Sequence, residues 1–218
     1  MFKSQIIILL LIFTFSLHNQ CNSVLIRPKT FEYRISYIHK LIRLQNWNCT
    51  DVVNYFFERT TKYNTRLGAI ITLNPRALDQ AVVLDNLYKQ TGAFKGKLHC
   101  VPFVIKDNID VLGMPTTGGI KALRNSFPSK DALVISRLLA EGAIVISKAN
   151  LGELAWGIDQ SEMGGQCKNP YDARRSCGPS SIGSGAAIGS SLGIVALGTD
   201  TDGSIMIPGS YNSIFALR

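Results

Sequence analysis

Histidine is scarce in this chain, with three residues in 218. His18 lies in an N-terminal segment that has the pattern of a cleaved signal peptide, which leaves His39 and His99 in the mature chain. The five cysteines match no metal-ligand spacing. We therefore expect neither a zinc site nor a histidine-based catalytic triad, and no motif indicates a cofactor.

The sequence also lacks the Gly-Lys-Ser/Thr motif that cradles nucleotide phosphates. Gly183, Gly185 and Gly189 only approximate a dinucleotide-binding fingerprint. The polar segment 169–181 that precedes them is not the apolar strand that this fingerprint requires. Nucleotide binding through either motif is excluded.

Acidic residues are outnumbered, 15 against 23 basic ones, which gives a formal net charge of +8. Arg34, Lys40 and Arg43 share one segment and Arg174-Arg175 form a pair, but the other basic residues are scattered. No recognised nucleic-acid-binding motif accompanies them. The charge therefore indicates a solvated basic surface and no nucleic-acid partner.

Residues 1–23 have the pattern of a secretory signal peptide. Lys3 supplies the positive start, residues 6–15 the apolar stretch, and residues 21–23 suit cleavage. Ten apolar residues are too few to span a bilayer, although an uncleaved anchor extended through Leu17 is the alternative. The mature chain is expected to be secreted or to lie in the secretory pathway.

The remaining cysteines and one sequon bear on that compartment. Asn48-Cys49-Thr50 is an N-glycosylation sequon, so we expect a glycan at Asn48. Cys167 and Cys177 flank a loop, and an oxidising compartment could join them. The alternative is four ordinary thiols, with Cys100 as a small core residue.

Helical and strand patterns alternate along the chain. Helices are expected over residues 31–44, 51–62 (capped by Thr50), 131–141, and from Asn74-Pro75 to Gly92. Strands are expected over residues 69–73, 98–105 and 143–147. This alternation favours an α/β fold with helices packed on a sheet.

Two turns rich in glycine and serine flank an apolar segment near residue 190. Ser180 lies in the first turn and Ser204 in the second. Small residues let the backbone approach a substrate, so a hydroxyl nucleophile and an oxyanion site can be built together there. Upstream, Lys106 ends an apolar run, where burial would lower its pKa toward a neutral, basic amine.

Three motifs in this chain resemble those of the amidase signature hydrolases. The family pattern Gly-Gly-Ser-Ser-Gly-Gly-Ser falls on residues 178–184, and Gly-Thr-Asp-Thr-Gly-Gly-Ser-Ile-Arg-x-Pro falls on residues 198–208, each with two mismatches. The family lysine falls on Lys106, within a Val-Pro-x-x-x-Lys-Asp segment. The resemblance implies a partial amidase signature fold, a mixed sheet flanked by helices, with residues 24–218 as the N-terminal portion of a longer domain.

The resemblance also implies a Ser-Ser-Lys triad that cleaves a small-molecule amide. Ser204 would attack the carbonyl, Ser180 would relay its proton to neutral Lys106, and water would hydrolyse the acyl-enzyme. The oxyanion would be held by the backbone N–H groups of Thr201, Asp202 and Gly203.

Structural roles are the alternative for these residues. Ser180 and Ser181 could merely cap the next helix, and Lys106 could extend its amine from a sheet edge into solvent. Asp202 stands where the family has glycine and Met206 where it has arginine, so the second turn is more negative and would favour a protonated Lys106. A truncated or non-catalytic amidase relative is the alternative function.

Overall fold

The computed structural model describes residues 34–218, so the expected signal peptide over residues 1–23 lies outside the described residues. Among residues 34–218, no helix is long and apolar enough to cross a bilayer. The helices are α1 (Ile35–Arg43), α2 (Cys49–Leu67), α3 (Ala77–Thr91), α4 (Leu133–Ala140), α5 (Ile182–Gly189) and α6 (Met206–Tyr211). The strands are β1 (Ile70–Leu73), β2 (Pro102–Lys106), β3 (Ile144–Ala149), β4 (Gln160–Ser161), β5 (Gly165–Gln166) and β6 (Val195–Leu197).

The main sheet is mixed and has the strand order β1-β3-β2-β6. Strand β2 runs parallel to both of its neighbours, β3 and β6, whereas β1 runs antiparallel to β3. Every residue of β2 and β3 is buried, which suits the nearly continuous apolar sequence of parallel strands covered on both faces. The expected α/β class, with a mixed sheet flanked by helices, is confirmed.

Apolar side chains on the two faces of the sheet belong to separate cores, because successive residues of a strand point to opposite faces. Val104 and Ile146 pack in a core with α1, α2, α3 and α5. Ile105 and Val145 pack on the other face with α4 and with apolar residues that follow β2. Since Lys106 follows Ile105, its side chain lies on the face that α5 covers.

Helix α2 begins two residues earlier than its sequence indicated, and the predicted Thr50 cap is wrong. Asn48 is the N-cap: its Oδ1 accepts from the Asp51 N–H at 2.8 Å, and the Asp51 carboxylate accepts from the Asn48 N–H at 2.9 Å. Thr50 instead donates its hydroxyl to Asp85 at 2.7 Å. The reciprocal capping box satisfies two backbone donors at once, so it determines the helix start.

A disulfide joins Cys49, at the start of α2, to Cys100, just before β2. Cys100 is buried, as expected, but it is not an ordinary core thiol. Its backbone φ of +61° places it in a turn, which is why the strand predicted from residue 98 begins only at Pro102. The disulfide therefore ties the first long helix to the strand that carries Lys106.

Candidate active site

Lys106 is fully buried at the end of β2, and its amine meets three oxygens. The Nζ atom lies 2.7 Å from Ser180 Oγ, 2.8 Å from Thr199 Oγ1 and 3.3 Å from the Thr199 carbonyl oxygen. A neutral amine has two N–H donors and one lone pair. A charged amine could donate to all three oxygens, while the uncharged form can donate twice to Thr199 and accept the hydroxyl proton of Ser180.

The electrostatic surroundings favour the uncharged form. Burial lowers the pKa of Lys106 from 10.5 to about 8, while the Asp200 carboxylate acts in the opposite direction and raises it. The sequence had suggested that Asp202 would raise this pKa, but the side chain of Asp202 is exposed, and the carboxylate that acts on Lys106 is that of Asp200. Lys106 also makes no ion pair within residues 34–218.

A second buried lysine, Lys148, lies on the neighbouring strand with a different partner. It pairs with Ile105 of β2 across the sheet, so its side chain lies on the face opposite to that of Lys106. Its Nζ lies 2.8 Å from Asp107 Oδ1 and donates to the Pro115 carbonyl at 2.8 Å. Burial lowers the pKa of Lys148 and the Asp107 carboxylate acts in the opposite direction, whereas Lys106 is the buried lysine without a carboxylate contact.

The first glycine- and serine-rich turn presents Ser180 to Lys106. Gly178 adopts φ +83°, and a Cβ there would meet the Pro208 backbone at 2.8 Å, so the turn requires glycine. The Ser180 carbonyl accepts the Gly152 N–H at 2.9 Å. The capping alternative gains no support, because the N-cap residue of α5, Ser181, makes no side-chain cap hydrogen bond and Ser180 Oγ contacts Lys106.

The second turn is organised by Asp200. Its carboxylate accepts the backbone N–H groups of Gly203 at 2.7 Å, Ile205 at 2.9 Å and Met206 at 3.4 Å. Ser204 is half-buried in this turn, and within residues 34–218 its hydroxyl makes no hydrogen bond. The structure thus joins Ser180 to Lys106 directly but does not bring Ser204 into hydrogen bonding with either.

The three expected oxyanion donors differ in availability. Thr201 and Asp202 are exposed, and their N–H groups donate to no acceptor in the described part of the chain. The Gly203 N–H is already used by Asp200. In this arrangement, two of the three amides are open to a ligand.

The comparisons with known proteins agree with these motifs. The protein-family model described as Amidase matches residues 51–218. The chain belongs to the amidase signature family. A glutamyl-tRNA(Gln) amidotransferase subunit from Archaeoglobus fulgidus is 38% identical over 177 residues, which cover 81% of this chain and 37% of that protein. The corresponding subunit from Geobacillus sp. is 37% identical over 190 residues, which cover 86% and 39%.

Solved structures of this amidase family share the fold. Peptide amidase from Stenotrophomonas maltophilia superimposes with a TM-score of 0.79 at 35% identity, over 83% of this chain and 39% of that one. A fatty acid amide hydrolase superimposes with a TM-score of 0.78 at 26% identity, over 83% and 32%. The chain therefore spans less than two fifths of the length of these amidase relatives, and its fold is a part of theirs.

Three residues of the candidate site were not expected from the sequence. Thr199 contacts the Lys106 amine, Asn108 donates to Thr199 Oγ1 at 3.0 Å, and Asp200 holds the second turn. Asp200 could have been found, because an Asp before a glycine-containing turn commonly accepts the backbone N–H groups that follow it. Asn108 had no such signal.

One group of metal-ligand residue types is present in the described part of this amidase chain: Cys49, His99 and Cys100. The two sulfurs are bonded to each other and are not thiolates. His99 Nδ1 accepts the Lys95 N–H at 3.2 Å, which places the imidazole proton on Nε2, the nitrogen that faces Cys49. The disulfide form of this group therefore offers no set of free lone pairs to a metal.

The expected glycosylation site lies at the surface. Asn48 is exposed, and its Oδ1 is used in the α2 cap. Its Nδ2, where a glycan is attached, makes no hydrogen bond with residues 34–218. The position is compatible with a glycan.

Proposed function

We propose that this chain carries the catalytic residues of a hydrolase that cleaves linear amides through an acyl-enzyme. The observation that carries the proposal is the 2.7 Å contact between Ser180 Oγ and Lys106 Nζ, in which a buried lysine without a carboxylate partner can accept a proton. Membership of the amidase signature family supports the same chemistry. Because the chain spans less than two fifths of the length of these relatives, a whole amidase activity is carried over to it only as part of this proposal.

The contact between Ser180 and Lys106 supports one step of the proposed proton path. Ser204 Oγ attacks the amide carbonyl, its proton passes to Ser180 Oγ, and the Ser180 proton passes to Lys106 Nζ. Lys106 then returns a proton through Ser180 to the leaving amine, and water repeats the sequence on the acyl-enzyme. This path requires Ser204 Oγ to come within hydrogen-bond reach of Ser180 when substrate is bound, since free active sites often have longer catalytic contacts.

The oxyanion that forms on the substrate needs donors at the second turn. The N–H groups of Thr201 and Asp202 serve as these donors. The Gly203 N–H joins them if it breaks its hydrogen bond to the Asp200 carboxylate and donates to the oxyanion instead. The substrate is a small-molecule amide. The relatives named as peptide amidase and fatty acid amide hydrolase support this class without fixing its acyl group.

A non-catalytic role is the second candidate, and one observation favours it. Ser204 is joined to neither Ser180 nor Lys106, while the Gly203 amide is occupied by Asp200. If this arrangement persisted with substrate present, the protein would bind amides without cleaving them.

A secretory location is also proposed for this protein. Residues 1–23 have the signal-peptide pattern, Asn48 is exposed, and a disulfide between Cys49 and Cys100 suits an oxidising compartment. N-terminal sequencing of material secreted by eukaryotic cells should begin at Val24, and glycosidase treatment should lower its mass. Retention of Met1 on secreted protein would contradict cleavage of the signal peptide, and an unchanged mass would contradict the glycan at Asn48.

The catalytic proposal is tested by turnover of an aryl amide by the complete protein, alone and with single substitutions. Ser204→Ala, Ser180→Ala and Lys106→Met should each remove most of the activity, whereas Ser210→Ala, at an exposed serine of α6, should not. Activity should rise about tenfold per pH unit below pH 8 and then level off, because only neutral Lys106 accepts the proton. Binding of the amide without turnover would favour the non-catalytic candidate.

A further inference from the structure

The two remaining cysteines of the described chain face each other beside the Ser180 turn. The Sγ atoms of Cys167 and Cys177 are 2.9 Å apart, and both residues are buried. Both are free thiols. Because Cys49 and Cys100 are already bonded to each other, Cys167 and Cys177 are the thiols left within residues 34–218.

Separate backbone contacts hold the two sulfurs in place. Cys167 follows β5, and its N–H donates to the Asp159 carbonyl at 2.9 Å. Cys177 leads into the Ser180 turn, and its carbonyl accepts from Asn212 Nδ2 at 2.6 Å. Neither contact involves the sulfurs, so the sulfurs can bond while both anchors are kept.

The loop between the two cysteines contacts the last residue of α6. Asn169 donates through Nδ2 to the Tyr211 carbonyl at 2.8 Å and to the Ser176 carbonyl at 3.1 Å. The tip of the loop is exposed: the side chains of Arg174 and Arg175, which both pair with Asp172, are 85% and 79% exposed. A covalent bond at the base of the loop would fasten the segment that leads to Ser180.

We propose that Cys167 and Cys177 form a reversible disulfide that closes the 168–176 loop and fixes the start of the Ser180 turn. The oxidant is a small-molecule disulfide such as oxidised glutathione. One cysteine thiolate attacks a glutathione sulfur, forms a mixed disulfide and releases one glutathione. The second cysteine attacks the protein sulfur of that mixed disulfide and releases the other glutathione. The two protein thiols lose two electrons and two protons. The two sulfurs of oxidised glutathione take them up and become thiols.

The burial of the pair determines how fast this exchange proceeds. Burial raises the pKa of the Cys167 thiol, and its contact with Cys177 acts in the same direction. Since the thiolate is the attacking species, oxidation is slow near neutral pH and accelerates as the pH rises. The second step is fast because the partner sulfur is already in contact, so the mixed disulfide does not accumulate.

Peptide mapping of the full chain tests the proposal. The protein is equilibrated with reduced and oxidised glutathione at several ratios, blocked with N-ethylmaleimide in urea and digested with trypsin. The expected product is peptide 149–168 linked to peptide 176–218, and dithiothreitol should separate them. Recovery of Cys167 and Cys177 as blocked thiols at every ratio, or linked to other partners, would overturn the proposal.

An internal control is available in the same digest. Peptides 44–59 and 98–106 carry Cys49 and Cys100, and their linkage reports whether the chain is folded and the digestion complete. Cys167→Ser and Cys177→Ser should each abolish the new linked pair and leave the control pair unchanged. If either variant retained a link through the other cysteine, the assigned pairing would be wrong.

Discussion

Replacement of Lys106 by methionine should change the stability of the folded chain in a pH-dependent way, with the difference from the unmodified chain most favourable to the variant near neutral pH and shrinking as the pH rises. The amine has a pKa of 10.5 in the unfolded chain and about 8 in the folded one. Between these values the unfolded state binds more protons, so the stability of the unmodified chain increases with pH there. At pH 7 the cost of keeping this lysine is about 3 kcal/mol.

The size of the pH effect follows from the same two pKa values. At pH 7, loss of the buried amine raises the free energy of unfolding of the methionine variant by up to about 3 kcal/mol relative to the unmodified chain. Each lost hydrogen bond to Ser180 or Thr199 lowers it by about 1 kcal/mol. Because the hydrogen-bond loss changes little with pH, the difference between variant and unmodified chain should fall by about 2 kcal/mol from pH 7 to pH 9.5. Urea unfolding of both proteins at intervals across this range measures the difference.

Lys130→Met is the matched control, because Lys130 is exposed and makes no hydrogen bond or ion pair within residues 34–218. It should leave the stability unchanged across the whole range. If the Lys106→Met difference is constant with pH, Lys106 keeps an ordinary pKa in the folded chain. It would then stay charged well above pH 8, and the activity profile expected for a lysine that becomes neutral near pH 8 would be lost, so the catalytic proposal would fail with it.

Three further predictions test other parts of the fold. Lys148→Met should destabilise the chain by about 3–5 kcal/mol in urea unfolding, because it leaves the buried Asp107 carboxylate without its partner, and a second change, Asp107→Asn, should recover part of that loss. Removal of the disulfide by Cys49→Ser and Cys100→Ala should cost about 2–4 kcal/mol by the same measurement, and equal stability of the two proteins would show that the bond contributes nothing. Asn48→Ser should remove a glycan but keep the α2 cap, whereas Asn48→Ala should remove both. In unglycosylated protein, Asn48→Ala should therefore lower the stability by about 1 kcal/mol, and an equal loss of stability in both variants would argue against the cap.

The alternation of helices and strands could be read from the sequence because each element is determined locally. Gly92 ends α3 in a left-handed conformation, φ +66°, as its position after the apolar pattern indicated. The start of α2 was missed although its signal is also local. Asn48 and Thr50 are both good cap residues, and only Asn48 has an acidic residue three positions later, which completes the capping box.

Contacts between distant segments could not be read in this way. The disulfide between Cys49 and Cys100 depends on how α2 docks beside β2, across a separation of 51 residues. Strand β3 extends two residues beyond the predicted end at Ser147 and includes Lys148, although lysine is normally a surface residue. Its burial depends on Asp107, which no local pattern connects to it.

The two buried lysines show that burial alone does not choose a base. Lys106 and Lys148 lie at the ends of adjacent parallel strands, both without exposed surface, on opposite faces of one sheet. On one face a carboxylate lies 2.8 Å from the amine, and the charge that burial disfavours is neutralised by an ion pair. On the other face the amine meets a serine hydroxyl and the oxygens of a threonine, and burial lowers its pKa to about 8 although the Asp200 carboxylate acts in the opposite direction. Asp107, next to Lys106 in sequence but with its carboxylate on the opposite face, therefore gives Lys148 an ion-pair partner and leaves Lys106 without one.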